Sequence, residues 1–152
     1  MINVPMAKDF PDHHDADLVL RVYDLRREPV LREARRVISQ EFWPKSLDDL
    51  KNVAKWEHPQ NAFFRQVAAY WELVYGMARH GIVHGEYLVE CSGGEAFILL
   101  AKLHPFLKEF RAEASSPWFL RNTEWAATQT ELGRALFTQL LPRVQQLVAA
   151  RK

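Results

Sequence analysis

At 152 residues, 48% hydrophobic and 12% aromatic, the chain can bury a core of its own as one domain without help from a metal or a disulfide. Twenty basic against nineteen acidic side chains leave a net charge of +1, which argues against a protein built mainly to coat nucleic acid. The single cysteine, Cys91, cannot close an internal disulfide, no secretory leader opens the chain, and its longest apolar run, Ala96 to Ala101, is far short of the ~20 residues of a membrane span, so a cytoplasmic protein is expected.

Residues 1–14 carry Pro5, Pro11, His13 and His14 without periodicity and read as an irregular arm before one helical domain, residues 15–152. Asp15 is placed to cap a first helix, whose Leu18, Val19, Val22 and Leu25 share one face. Pro29 interrupts it or opens the next helix at its first position. From there Val30, Leu31, Ala34, Val37, Ile38 and Phe42 form a stripe that ends at Trp43-Pro44. Ser46 with Asp49 resembles a capping box for a short helix from Leu47 to about residue 55.

The strongest helical pattern runs from Gln60 to His80. Phe63, Phe64, Val67, Ala68, Tyr70, Trp71, Val74, Tyr75 and Ala78 cover more than half its circumference, as a central helix requires. Gly81 stands where a left-handed cap belongs. A short helix begins at His84 or Gly85 and is expected to stop at Gly93-Gly94. Another should run from Glu95 to Ala114, bent or split by Pro105. A short helix from Trp118 to Ala126 and a last one from Glu131 to Ala150, capped by Thr128 or Thr130 and kinked at Pro142, complete the chain. No period-two alternation or hairpin signal occurs. The expected fold is all-α, an irregular bundle of about six or seven helices, some kinked by proline.

The run Phe64 to Trp125 resembles a bacterial helical family known only as a domain of unknown function. Tyr70-Trp71-Glu72 and Gly76 on a long helix carry the likeness, with the turn Gly81-Ile82-Val83-His84 and the helix Glu86-Tyr87-Leu88-Val89. A glycine pair, then Leu103-His104-Pro105-Phe106, Phe110-Arg111 and Ser116-Pro117-Trp118, continue it. Family members often have an acidic residue where His84 stands, and many have an N-terminal membrane helix, for which this chain has no apolar run. The resemblance implies a helical fold and no activity.

Candidate chemistry is sparse. His13, His14, Asp15 and Asp17 are the densest cluster of ligand types, but neither a helical His-x3-His pair nor paired cysteines accompany it, so no metal is expected. Cys91 falls near the end of its expected helix, where the dipole disfavours a thiolate. Ser92-Gly93-Gly94-Glu95 lacks the preceding strand and the Lys-Ser/Thr of a phosphate loop. Glu86 with Glu90, and Glu109 with Glu113, are one turn apart without the Glu-x-x-His pairs of a di-iron bundle. Catalytic residues and cofactors are therefore not assigned.

Two features point to partners. Arg21, Arg26, Arg27, Arg32, Arg35 and Arg36 crowd the first third, with Asp24, Glu28 and Glu33 placed to neutralise half of them. Trp43, Trp56 and Trp118 stand beside prolines or at helix ends, and tryptophan with arginine often anchors protein interfaces. The expected function is a non-enzymatic interaction module (an adaptor, regulator or homo-oligomer subunit) whose partner is another protein or its own copy. The alternatives are nucleic-acid association through the arginines, and an enzyme or small-molecule binder with a pocket among Tyr70, Glu72, His84 and His104.

Overall fold

A computed structural model describes residues 8–152, which hold eight α-helices, one 3-10 turn and no strand. In chain order the helices are α1 (His13–Leu25), α2 (Pro29–Gln40), α3 (Leu47–Val53), α4 (Asn61–Arg79), α5 (Gly85–Leu103), α6 (Leu107–Glu113), α7 (Arg121–Gln129) and α8 (Glu131–Ala150). The all-helical reading holds. Residues 1–7 of the expected arm lie outside the described residues. The first helix starts two residues before Asp15, because Asp12 is its cap and Asp15 closes the capping box from the third position.

Helix α4 is central, as its wide apolar surface dictates. Phe64, Val67, Trp71, Val74 and Tyr75 are all buried, and α2, α5 and α7 pack around them. Aromatic rings then carry the core from α4 through α5 to α8. Trp71 stacks on Tyr75 at 5.9 Å, Tyr75 on Phe97 at 5.9 Å, and Phe97 meets Phe137 edge-on at 6.3 Å. Such pairs each add roughly 0.5–1.5 kcal/mol beyond the burial itself.

Several local signals act as expected. Ser46 and Asp49 form a reciprocal capping box, Thr130 caps α8, and Gly81 turns left-handed with φ 74° after α4. Pro105 splits its segment, with the 3-10 turn His104–Phe106 between α5 and α6. Helix α8 continues through Pro142. The short helix expected from Trp118 begins later, at Arg121, because Arg111 Nε holds the Phe119 carbonyl (2.9 Å) and Leu120 is left-handed with φ 55°.

The glycine pair does not end a helix. Helix α5 runs unbroken through it, and the two glycines differ in their reasons. A Cβ on Gly93 would crowd Val89 at 3.2 Å and Phe97 at 3.3 Å on the same helix, while Leu136 of α8, at 3.6 Å, would be in ordinary contact, so the packed side chains around Gly93 leave it little room. A Cβ on Gly94 would meet nothing within 4 Å. Glycine in a helix interior costs about 0.5–1 kcal/mol relative to alanine. Gly94→Ala is therefore expected to stabilise the fold by about that amount in urea unfolding; a loss would mean that Gly94 is needed for packing after all.

Candidate interaction surfaces

The six arginines of the first third do not form one basic face. Arg26 and Arg35, from the end of α1 and the middle of α2, converge on Glu95 of α5. Arg26 Nη2 lies 3.2 Å from that carboxylate and Arg35 Nε 2.8 Å from it, with all three side chains largely buried. The Glu95 hydrogen bond and charge raise the Arg35 pKa against the opposing effect of burial. Arg36 pairs with Glu33 and Glu41 on the surface. Arg21, Arg27 and Arg32 are exposed and make no ion pair with a described carboxylate. The expected local neutralisation is thus redistributed. Glu28 caps α2 by accepting from the amides of Val30 and Leu31, and Glu95, 60 residues along the chain from Arg35, takes up the charge instead.

Between α2 and α5 lies a cleft of about 450 Å³. Arg32, Arg35 and Arg36 stand along it, Ile38, Val67, Ile98 and Leu99 give it apolar walls, and Gly94, Glu95 and Lys102 line the α5 side. Lys102 is only 1% exposed. Its ammonium donates to the carbonyls of Ile38 (2.9 Å), Ser39 (3.1 Å) and Phe42 (2.9 Å), at the C-terminal end of α2.

The tryptophans divide. Trp43 is half-buried. Its indole donates to the Gln40 carbonyl, and its ring lies between the Lys102 ammonium and the Arg151 guanidinium, each 3.8 Å from the centroid. It closes the end of the bundle. Trp56 and Trp118 are 76% and 66% exposed. Arg65 of α4 covers the Trp56 ring at 3.9 Å. Arg65 and Phe119, the residue after Trp118, line the same shallow groove of about 460 Å³ beside Phe64, Ala68 and Ala69. Both exposed tryptophans therefore adjoin residues of one groove near the start of α4, a neighbourhood that their separation in the sequence hides.

The remaining candidates do not converge on one site. Tyr70, Glu72, His84 and His104 have separate tasks. Tyr70 donates to the Val22 carbonyl and so ties α1 to α4. Glu72 accepts from the amides of Asn122 (3.0 Å) and Thr123 (2.8 Å) and from the Thr123 hydroxyl (2.8 Å), which caps α7 from another helix. His84 Nδ1 accepts from the Tyr87 amide at the start of α5. His104 lies edge-on to Phe137. Glu86 caps α8 through the amides of Glu131 and Leu132. Glu113 pairs with Lys51 at 2.6 Å, while Glu90 and Glu109 are exposed.

Cys91 is surface-accessible but lies inside α5, away from either end. Partial burial pushes its thiol pKa up, and the charge of Glu90 adds to that against a hydrogen bond with Tyr87. Ser92 to Glu95 also lie inside α5, so their amides serve the helix rather than a phosphate. Among the described residues no group of three or more His, Cys, Asp or Glu side chains is arranged to hold a metal ion. His13 and His14 are exposed, while Asp15 is fully buried and engaged elsewhere. No described helix is long and apolar enough to cross a membrane.

Comparison with known proteins gives one match. The model of a family described as Domain of unknown function (DUF4760) matches residues 11–130. No curated protein and no solved structure matches the chain.

Proposed function

We propose that this chain, which belongs to the DUF4760 family, works as a non-enzymatic helical interaction module whose protein partner docks on the aromatic end of α4. The observation that carries this reading is a groove lined by Arg65 and Phe119, with exposed Trp56 stacked under Arg65 and exposed Trp118 next to Phe119 in the chain. Water around two large indoles is costly, and a docked partner would release it. Tryptophan and arginine also dominate the residues that hold interfaces together. An adaptor, a regulator and a self-associating subunit all fit this surface, in a bacterial cytoplasm.

The test compares the wild-type chain with Trp56→Ser/Trp118→Ser, whose substitutions lie outside the core. Native-lysate capture with stoichiometric readout, and light scattering for self-association, should both find the double variant folded as before. Its affinity for the captured partner, or for itself, should fall at least about 30-fold, the loss typical of a central interface tryptophan. Undiminished capture and unchanged particle mass would remove the aromatic end of α4 from consideration. Nucleic-acid association is supported only by Arg21, Arg27 and Arg32, which make no ion pair with a described carboxylate. It requires salt-sensitive retention of a random RNA oligonucleotide that weakens when these three are replaced by alanine.

A further inference from the structure

We propose that the cleft between α2 and α5 binds a small amphipathic carboxylate, its apolar body against Ile38, Val67, Ile98 and Leu99 and its charged head on Arg32. This inference stands independently of the aromatic groove.

Three observations support it. The first is volume and lining. About 450 Å³ is within the range of small-molecule sites, which are mostly apolar with a few polar groups to orient the ligand. The second is charge. Four cations line the cleft against one carboxylate, Glu95. Glu95 is held by two guanidiniums, Arg36 is spent on Glu33 and Glu41, and Lys102 on backbone carbonyls. Arg32 is different. The only side-chain hydrogen bond it makes among the described residues runs to the Arg27 carbonyl at 3.1 Å, and no described carboxylate pairs with it. Its guanidinium retains donors for an anion at the cleft.

The third observation is Gly94. It lies inside α5, where glycine weakens a helix, yet no neighbour needs its lack of a side chain. The space it leaves open belongs to the cleft. Gly93 beside it has an ordinary packing reason; for Gly94 the accessible cleft is the reason at hand. The apolar walls select against free phosphate and other fully polar anions, and Arg32 selects against neutral apolar molecules.

The probe is octanoate, titrated into the uniformly ¹⁵N-labelled full chain, with octanol, acetate and inorganic phosphate as comparisons. Octanoate should give saturable amide shifts at Ser39, Gly94, Glu95 and Ile98. Octanol, which lacks the charge, should bind at least about tenfold more weakly, as should acetate, which lacks the body. Gly94→Trp should fill the cleft and abolish binding. Arg32→Ala should weaken octanoate about tenfold and leave octanol unchanged. Arg32 is exposed and outside the core, so this second variant decides the matter if Gly94→Trp does not fold. The proposal is overturned if octanoate gives no saturable shifts, if its shifts map elsewhere, if octanol or phosphate binds the same residues as tightly, or if Arg32→Ala binds octanoate like the wild type.

Discussion

Lys102→Ala is expected to destabilise the fold by about 4 kcal/mol in urea or thermal unfolding. The reason lies in the end of α2. Its last carbonyls cannot be satisfied within the helix, and each finds another partner. Val37 accepts from the Glu41 amide, Ile38 and Ser39 from Lys102, and Gln40 from the Trp43 indole. Alanine would strip two helix carbonyls and that of Phe42 of their donor in a place that excludes water, and would leave a void where the lysine stem ran. Lys102→Met keeps the stem and loses only the donors, so it should fall between the wild type and the alanine variant.

Alkaline titration gives Lys102 a second signature. Burial, with the like charge of Arg151 adding, lowers its pKa from 10.5 to about 8. Between these values the unfolded chain binds more protons at this site than the folded one. The contribution of Lys102 to stability should therefore rise as pH increases from 8 to 10.5, and level off above. The deficit of Lys102→Met relative to the wild type should widen over the same window. A deficit that stays constant would show that the ammonium is not desolvated as its burial implies.

Asp15→Ala is expected to cost about 3 kcal/mol, with its effect concentrated at α1. The carboxylate is fully buried and serves three donors: Lys8 Nζ at 2.9 Å, the Asp12 amide at 2.9 Å and the His84 amide at 2.9 Å. The last of these links the start of α1 to the start of α5. Its removal takes the acceptor from two partly buried amides, and α1 otherwise holds to the bundle mainly through Val19, Val22, the Tyr70 hydrogen bond and the Arg26–Glu95 pair at its end. Amide exchange in α1 should accelerate well before exchange in α4 or α5 does. Burial alone would raise the Asp15 pKa, but the hydrogen bonds from Lys8, Asp12 and His84 outweigh it and hold it at about 2. A carboxyl whose folded pKa is depressed contributes its stability above the unfolded value near 3.8 and loses it as pH falls toward 2. The difference between wild type and Asp15→Ala should accordingly shrink between pH 4 and pH 2, and an undiminished difference at pH 2 would contradict the carboxylate's role.

The all-helical class, and those stops and starts that depend on neighbours, could be read from the chain alone. The stripe from Phe63 to Ala78 identified the central helix. The Ser46–Asp49 box, the Thr130 cap, the left-handed Gly81 and the break at Pro105 were all legible, because each joins groups no more than a turn or so apart. Local pattern misled at Gly93-Gly94, where the packing of α5 as a whole outweighs the weak helix preference of glycine, and at Trp118 to Leu120, where Arg111 holds the turn.

Tertiary structure alone decided what the polar side chains do. Glu72 caps α7 from 50 residues away, Glu86 caps α8 from 45, Lys102 ends α2 from more than 60, and Glu95 gathers Arg26 and Arg35 across a similar span. A residue's spacing along a helix says which face it occupies and nothing about which helix end will be brought against that face. Of the carboxylates and arginines that invited catalytic or nucleic-acid readings, Glu72, Glu86, Glu95, Arg26 and Arg35 satisfy helix ends and each other, whereas Arg21, Arg27, Arg32, Glu90 and Glu109 stand exposed. Trp56 and Trp118 remain at the surface because the central core closes without them, and Arg32 stays there with no described carboxylate paired to it. The physical reason is one of distance. A helix end exposes its unpaired backbone groups from the moment the helix forms, but the charge that satisfies them arrives only when the bundle does.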